Sequence, residues 1–147
     1  MIVSVQDILN ASILIVDDQD ANVQLLARML GEAGYARVAS TKNPLEVCSL
    51  HRRNSYDLIL LDLQMPRMNG FEVLEGLTNE AAVSVLVLSA DPAHMARALA
   101  AGAKGFLSKP FVLAEVLSRV NLMLSCGLED PEPLLTTEAF PWLRATV

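Results

Sequence analysis

The sequence predicts an α/β fold in which a five-stranded parallel sheet is doubly wound, with helices on both faces. Two observations lead to this prediction. Along the 147 residues, short apolar runs alternate five times with amphipathic, helix-like segments, and the runs lack polar alternation. Strands of a parallel sheet show such runs because crossover helices cover both faces. Right-handed crossovers then wind the sheet in both directions.

Each element follows from a local pattern. We predict strands at the apolar runs of residues 13–16, 37–40, 58–61, 84–88 and 104–107. The intervening segments predict helices over residues 20–33, 43–53, 71–77, 91–102 and 112–124. In the first of these, Val23, Leu26 and Leu30 recur on one helical face and Gly34 ends the helix. Asn43-Pro44 supplies an N-cap and a first-turn proline for the second.

The rhythm of strands and helices also suggests the domain limits. We expect residues 1–11 to be an N-terminal extension and residues 12–125 to form one domain, a length that buries a sizeable core. Residues 126–147 contain three prolines and no strand–helix rhythm. We interpret them as a tail or the start of a linker.

Composition narrows the class of protein. The formal net charge of −6 repels phosphate backbones, so we expect no direct nucleic-acid binding by this chain. No apolar stretch approaches the length of a membrane span, so we also expect no membrane contact. Cys48 and Cys126 have neither metal-ligand nor disulfide spacing. Two reduced thiols and the lack of a signal-peptide pattern predict a cytoplasmic protein.

Polar residues follow four of the predicted strands at the points where they end. Asp17 and Asp18 follow the first, Asp62 the third, Ser89 the fourth and Lys109 the fifth. Any one of these residues alone is better explained as a helix N-cap. Because ligands bind at the carboxyl ends of parallel strands, however, the whole set predicts a site at this edge of the sheet.

The residue types indicate phosphoryl chemistry. Three crowded carboxylates repel one another and need a cation, and hard oxygen ligands suit Mg²⁺. A metal, a lysine and a hydroxyl donor together can bind a phosphoryl group, whose transfer depends on positioning and charge neutralisation. Asp62 stands alone on a central strand, which makes it the natural nucleophile. Asp17 and Asp18 are then better placed to hold the metal.

At this point the sequence resembles the receiver domain of bacterial two-component response regulators. The resemblance covers residues 12–124. It is carried by the motifs ILIVDD (13–18), LILLDLQMPRMNG (58–70), LVLSA (86–90) and AGAKGFLSKPF (101–111). It implies a flavodoxin-like (βα)5 fold with strand order 2-1-3-4-5. It also implies a phosphoprotein of two-component signal transduction that catalyses only its own Mg²⁺-dependent phosphorylation and dephosphorylation.

The resemblance implies a role for each acidic residue. Asp62 would accept a phosphoryl group from the phosphohistidine of a sensor histidine kinase or a histidine phosphotransfer protein. Asp18 would bind Mg²⁺ directly and Asp17 would assist, through water. Asp62 and the backbone carbonyl of Gln64 would complete the protein ligands of the metal.

It also implies a conformational switch. Ser89 would hydrogen-bond the phosphoryl group, Lys109 would pair with it across a cis Lys109–Pro110 peptide, and Phe106 would turn inward as Ser89 moves. Ser89 replaces the threonine often found in the family, and Phe106 lacks the phenol of its tyrosine variants. The surface formed by the helix after the fourth strand, the fifth strand and the last helix would change shape. We expect a homodimer through that face.

Two alternatives to a phosphorylated receiver fit parts of the sequence. A haloacid-dehalogenase-type phosphatase has an Asp-x-Asp motif after its first strand, which Asp18-Gln19-Asp20 mimics. That interpretation lacks an acidic pair after a later strand and leaves Asp62 unexplained. The other alternative is a receiver-like interaction module that works without phosphorylation. It requires the loss of a site residue, and none is lost.

The two histidines have no role in this scheme. His51 and His94 both fall in predicted helices and not at the strand ends that form the predicted site. We expect both to be surface residues.

Overall fold

The computed structural model describes residues 4–64, 69–80, 83–110 and 112–125. Its five parallel strands are β1 (Ser12–Val16), β2 (Arg37–Thr41), β3 (Leu58–Asp62), β4 (Ser84–Ser89) and β5 (Gly105–Ser108). They form one sheet in the order β2-β1-β3-β4-β5. The predicted doubly wound fold and strand order are therefore confirmed, and β1 and β3 are central neighbours.

The helices follow the strands, as predicted, with some differences in extent. They are α1 (Val5–Leu9), α2 (Asp20–Glu32), α3 (Val47–Asn54), α4 (Gly70–Glu80), α5 (His94–Ala100) and α6 (Leu113–Ser125). A 3₁₀ turn, Pro44–Glu46, takes the place of the first turn predicted for α3, with the Asn43 side chain as its N-cap. No helix in the described part of the chain is long and apolar enough to cross a membrane.

Each face of the sheet has its own apolar core. Alternate strand residues such as Ile13, Leu60 and Leu88 pack in one cluster with apolar residues of α2 and α6. The residues between them, such as Leu14 and Leu61, pack in a second cluster with residues of α3, α4 and α5. All five residues of β3 are buried. The sheet is thus covered on both sides, which explains the unbroken apolar runs in the sequence.

The N-terminal segment contains a helix that the sequence pattern did not predict. Ser4 Oγ accepts a hydrogen bond from Asp7 N at 3.1 Å, and Asp7 Oδ2 accepts one from Ser4 N at 3.3 Å. This capping box begins α1. Ile8 is buried in the same core cluster as α2 and α6. The domain limits of residues 12–125 stay a prediction, and residues 126–147 lie outside the described part of the chain.

His51 is a core residue, so its prediction as a surface residue is wrong. Its Nδ1 accepts a hydrogen bond from Tyr56 N at 3.1 Å, and the imidazole stacks against the Tyr56 ring. Ser55, between them, has φ 54° and ends α3. The turn after α3 folds back onto the imidazole, which supplies an acceptor for a buried backbone N–H.

Candidate functional site

The three carboxylates predicted to converge lie together at one edge of the sheet. Asp17 and Asp18 directly follow β1, and Asp62 is the last residue of the neighbouring β3. One carboxylate oxygen from each residue lies within 4.8 Å of the others. Asp17 and Asp62 are buried and Asp18 is half-buried. The sheet order produces this cluster, because the carboxyl ends of β1 and β3 are adjacent.

Backbone and amide donors orient two of the carboxylates. Asp17 accepts hydrogen bonds from Gln19 N at 2.9 Å and from Asn22 Nδ2 at 3.2 Å. Asp62 Oδ1 accepts one from Gln64 N at 2.9 Å. Each of these oxygens has two lone pairs, so accepting one hydrogen bond leaves it able to bind a ligand as well.

Asp18 carries the feature that best fits a metal ion. Its Oδ1 is buried and has no hydrogen-bond partner among the described residues. A buried carboxylate oxygen without a partner is costly, and this one lies beside two further carboxylates. A hard divalent cation with oxygen ligands, such as Mg²⁺, would satisfy all three. The residues present therefore fit the expected metal.

Lys109 provides the positive charge of the site. Its Nζ lies 3.4 Å from Asp62 Oδ2, and the Lys109–Pro110 peptide is cis, as the resemblance implied. Burial raises the pKa of Asp62, while the Gln64 N–H and the charge of Lys109 oppose that rise. The site contains three carboxylates, Asp17, Asp18 and Asp62, and one ammonium, that of Lys109. The ion pair therefore neutralises only part of the negative charge.

Ser89 lies at the end of β4, as predicted, but its partner was not foreseen. Its hydroxyl is fully buried, with Oγ 2.9 Å from His94 Nδ1 and accepting a hydrogen bond from Asp91 N at 3.1 Å. The prediction of His94 as a surface residue therefore holds only in part, because its side chain is 32% exposed and contacts a buried hydroxyl. The sequence gives only a weak indication of where His94 lies, because the turn over residues 90–93 determines the direction of its side chain.

Phe106 is the aromatic residue predicted to act as the switch. It lies on β5, pairs with Val87 in the sheet register, and is half-buried against the core cluster shared with α3, α4 and α5. A half-buried ring can turn to become either more buried or more exposed than it is here. Its predicted role as a switch stays a prediction.

Comparison with known proteins identifies the family. Residues 13–121 match the family described as the response regulator receiver domain. The chain belongs to this family. Receiver domains serve two-component systems, in which phosphorylation on an aspartate is typical, and they work with sensor kinases.

Curated relatives of this receiver domain are longer proteins. Response regulator GtcR of Aneurinibacillus migulanus is 32% identical over 127 residues, which is 85% of this chain and 52% of the relative. Transcriptional regulatory protein CusR of Escherichia coli K12 is 35% identical over 118 residues, 78% of this chain and 52% of the relative. The chain thus spans about half the length of the curated relatives it matches.

Solved structures agree with the receiver fold. The receiver domain of the Francisella response regulator 1452 superposes with a TM-score of 0.72 at 28% identity, covering 78% of this chain and 97% of that one. A CheX–CheY–BeF₃–Mg²⁺ complex from Borrelia burgdorferi gives a TM-score of 0.70 at 28% identity, covering 75% and 86%. Both superpositions support the receiver fold and its strand order.

The receiver assignment and the geometry both argue against the phosphatase alternative. Asp20, the second acid of the Asp-x-Asp mimic, is exposed at the start of α2. It forms an ion pair with Lys42 at 3.1 Å. Asp62 instead shares the carboxylate cluster with Asp17 and Asp18. Asp18 and Asp20, the two acids of the Asp-x-Asp mimic, therefore lie in different environments.

Proposed function

We propose that Asp62 accepts a phosphoryl group from the phosphohistidine of a sensor histidine kinase or histidine phosphotransfer protein. The observation that supports this proposal is the placement of one buried carboxylate, Asp62, beside two further carboxylates and 3.4 Å from the Lys109 ammonium. An isolated buried acid would need none of these neighbours. A phosphoryl-acceptor site needs all of them.

The transfer step follows from the orientation of Asp62. Gln64 N fixes Oδ1 and Lys109 faces Oδ2, so the carboxylate is held in one orientation. One of its oxygens forms a bond to phosphorus as the P–N bond of the phosphohistidine breaks, and the electron pair remains on the imidazole nitrogen. The product is an acyl phosphate on Asp62. Lys109 and the Ser89 hydroxyl then bind its oxygens.

The same cluster would hold Mg²⁺. Asp17, Asp18, Asp62 and the backbone carbonyl of Gln64 are the proposed protein ligands, and the unpaired Oδ1 of Asp18 is the feature that supports them. When bound, the ion neutralises the carboxylates and the oxygens of the phosphoryl group. We propose that the chain catalyses its own phosphorylation and dephosphorylation and no other reaction.

The output of the site would pass through Ser89 and Phe106. Movement of Ser89 towards the phosphoryl group vacates space into which the half-buried Phe106 ring can turn. The face formed by α5, β5 and α6 then changes shape, and a homodimer forms through it. The proposal includes a cytoplasmic location and no direct contact of this chain with nucleic acid or membrane.

The test is phosphorylation by a small donor. The protein is treated with acetyl phosphate and Mg²⁺, and its intact mass is recorded over time. We expect a gain of one phosphoryl group, lost in Asp62→Asn and kept in the matched control Asp20→Asn, whose carboxylate is exposed. Equal gain in Asp62→Asn would refute the assignment. No gain in any variant would favour a module that works without phosphorylation.

A further inference from the structure

The hydroxyl of Ser89 already has a side-chain hydrogen-bond partner, His94. Ser89 Oγ lies 2.9 Å from His94 Nδ1, while His94 Nε2 lies 3.5 Å from Asp91 Oδ2. A neutral imidazole carries one proton, and the carboxylate of Asp91 favours that proton on Nε2. Nδ1 is then an acceptor, and the Ser89 O–H is the donor in this hydrogen bond.

This arrangement sets up a competition for one proton. A serine hydroxyl has a single O–H, and Ser89 Oγ already accepts from Asp91 N at 3.1 Å. The oxygens of an acyl phosphate are acceptors. Ser89 therefore cannot donate to His94 and to the phosphoryl group at the same time.

The imidazole is held in place by more than Ser89. It meets the Phe71 ring edge-on, with centroids 5.3 Å apart and an interplanar angle of 87°. Arg97 Cζ lies 3.9 Å from the centroid of the same ring. Phe71 is buried on α4. Contacts from α4 and from the turn before α5 thus keep His94 Nδ1 directed at Ser89.

We propose that His94 is a positioning residue that holds the Ser89 hydroxyl away from the phosphoryl group and thereby opposes the phosphorylated state. This inference rests on the proposed function, because it needs a phosphoryl group on Asp62. It goes further in assigning to His94 control over how readily Ser89 engages that group. Breaking one hydrogen bond, Ser89 to His94, is part of the cost of activation.

The test measures binding of beryllofluoride, a mimic of the phosphoryl group, in the presence of Mg²⁺ by titration calorimetry. His94→Leu keeps the bulk of the ring and removes Nδ1. We expect it to bind beryllofluoride roughly 2- to 10-fold more tightly, the range of one net hydrogen bond. His94→Asn places a carbonyl oxygen near the position of Nδ1 and should restore affinity towards wild type. Leu45→Ala, exposed in the 3₁₀ turn before α3 and outside the α5–β5–α6 face, is the control and should change nothing.

A double-mutant cycle with Ser89 identifies the route of the effect. In a Ser89→Ala background, His94→Leu should produce no gain, because the hydroxyl in dispute is absent. An undiminished gain in that background, or no gain in the single variant, overturns the proposal. Asp62→Asn should not bind beryllofluoride. If it binds as well as wild type, or if wild type does not bind, the proposed function fails and this inference fails with it.

A second measurement observes the hydrogen bond of His94 directly. The chain has two histidines, and ¹⁵N NMR of their rings reports on each Nδ1. The His94 Nδ1 signal should shift in Ser89→Ala, and also in wild type on addition of beryllofluoride. His51 is an internal reference, because its Nδ1 accepts from Tyr56 N. A His94 signal that does not move in either comparison contradicts the proposed hydrogen bond.

Discussion

Lys109 and Asp62 form an ion pair with a separation of 3.4 Å between Nζ and Oδ2, and their side chains are 16% and 3% exposed. The lysine crosses from the end of β5 to the end of β3. Its charge acts on two classes of ligand in opposite ways. It repels a cation held by the neighbouring carboxylates, and it attracts an anion bound at Asp62.

We predict that Lys109→Met separates these two effects. Mg²⁺ should bind several-fold more tightly, because a repelling charge is lost, and beryllofluoride should bind several-fold more weakly, because the anion loses its cation. Titration calorimetry with each ligand checks both signs. The control is Lys104→Met, whose side chain is exposed before β5. Changes of the same sign for both ligands would mean that Lys109 acts through the fold instead of through its charge.

Mg²⁺ should stabilise the folded protein. It binds the carboxylate cluster of the native state and relieves repulsion there, so stability rises by about 1.4 kcal/mol when its concentration is tenfold above Kd. Thermal unfolding with and without millimolar Mg²⁺ measures the shift in Tm. Asp18→Ala should lose most of that shift, and Asp20→Asn should keep it. Equal shifts in wild type and Asp18→Ala would place the ion elsewhere.

Gly70 fixes the approach of α4 to the segment after β3. A Cβ at this position would lie 2.6 Å from Leu63 Cα and 2.8 Å from the Leu63 side chain. We predict that Gly70→Ala lowers the free energy of unfolding by about 1–3 kcal/mol, as overpacking typically does. In the control Gly31→Ala, a Cβ meets nothing within 4 Å, and stability should rise by about 0.5–1 kcal/mol. Urea titrations measure both, and equal effects would contradict the packing argument.

The sequence was sufficient to predict the sheet and the convergence of the three carboxylates, because both depend on strand position. Unbroken apolar runs identify strands buried on both faces, and a carboxylate directly after a run must lie at the sheet edge, as Asp62 does. Side chains in turns are harder to place. His94 follows a turn whose geometry aims it at Ser89, and α1 is a five-residue helix stabilised by its capping box and the burial of Ile8. Neither the direction of the His94 side chain nor a helix as short as α1 produces a periodic pattern in the sequence.

Tyr35 should make stability depend on alkaline pH. Burial raises the pKa of Tyr35 from 10.0 to about 12, and its hydroxyl has no partner among the described residues. The folded state therefore favours the neutral phenol, and this contribution to stability is complete below pH 10 and lost as pH rises towards 12. We predict that wild type loses more stability than Tyr35→Phe between pH 10 and pH 12, the interval between the unfolded and the folded pKa of Tyr35. Parallel curves in denaturant titrations would contradict the assignment.

Dimerisation in the activated state should depend on apolar residues of α5 and α6. Met95 and Leu99 on α5 and Leu122 on α6 are 49%, 46% and 46% exposed, so the face formed by α5, β5 and α6 presents apolar side chains to solvent. Burying them in an interface is favourable, and a charge among them would have to be desolvated.

We therefore predict that wild type with Mg²⁺ and beryllofluoride sediments as a dimer and that Leu122→Glu stays monomeric at the same concentration. The matched control is Leu45→Glu, because Leu45 is 66% exposed but lies in the 3₁₀ turn before α3, outside the α5–β5–α6 face. It should dimerise like wild type. The switch biases an equilibrium without locking it, so the dimer should dissociate on dilution. A dimer that persists in Leu122→Glu would place the interface elsewhere, and a dimer that forms equally without beryllofluoride would show that dimerisation does not depend on activation.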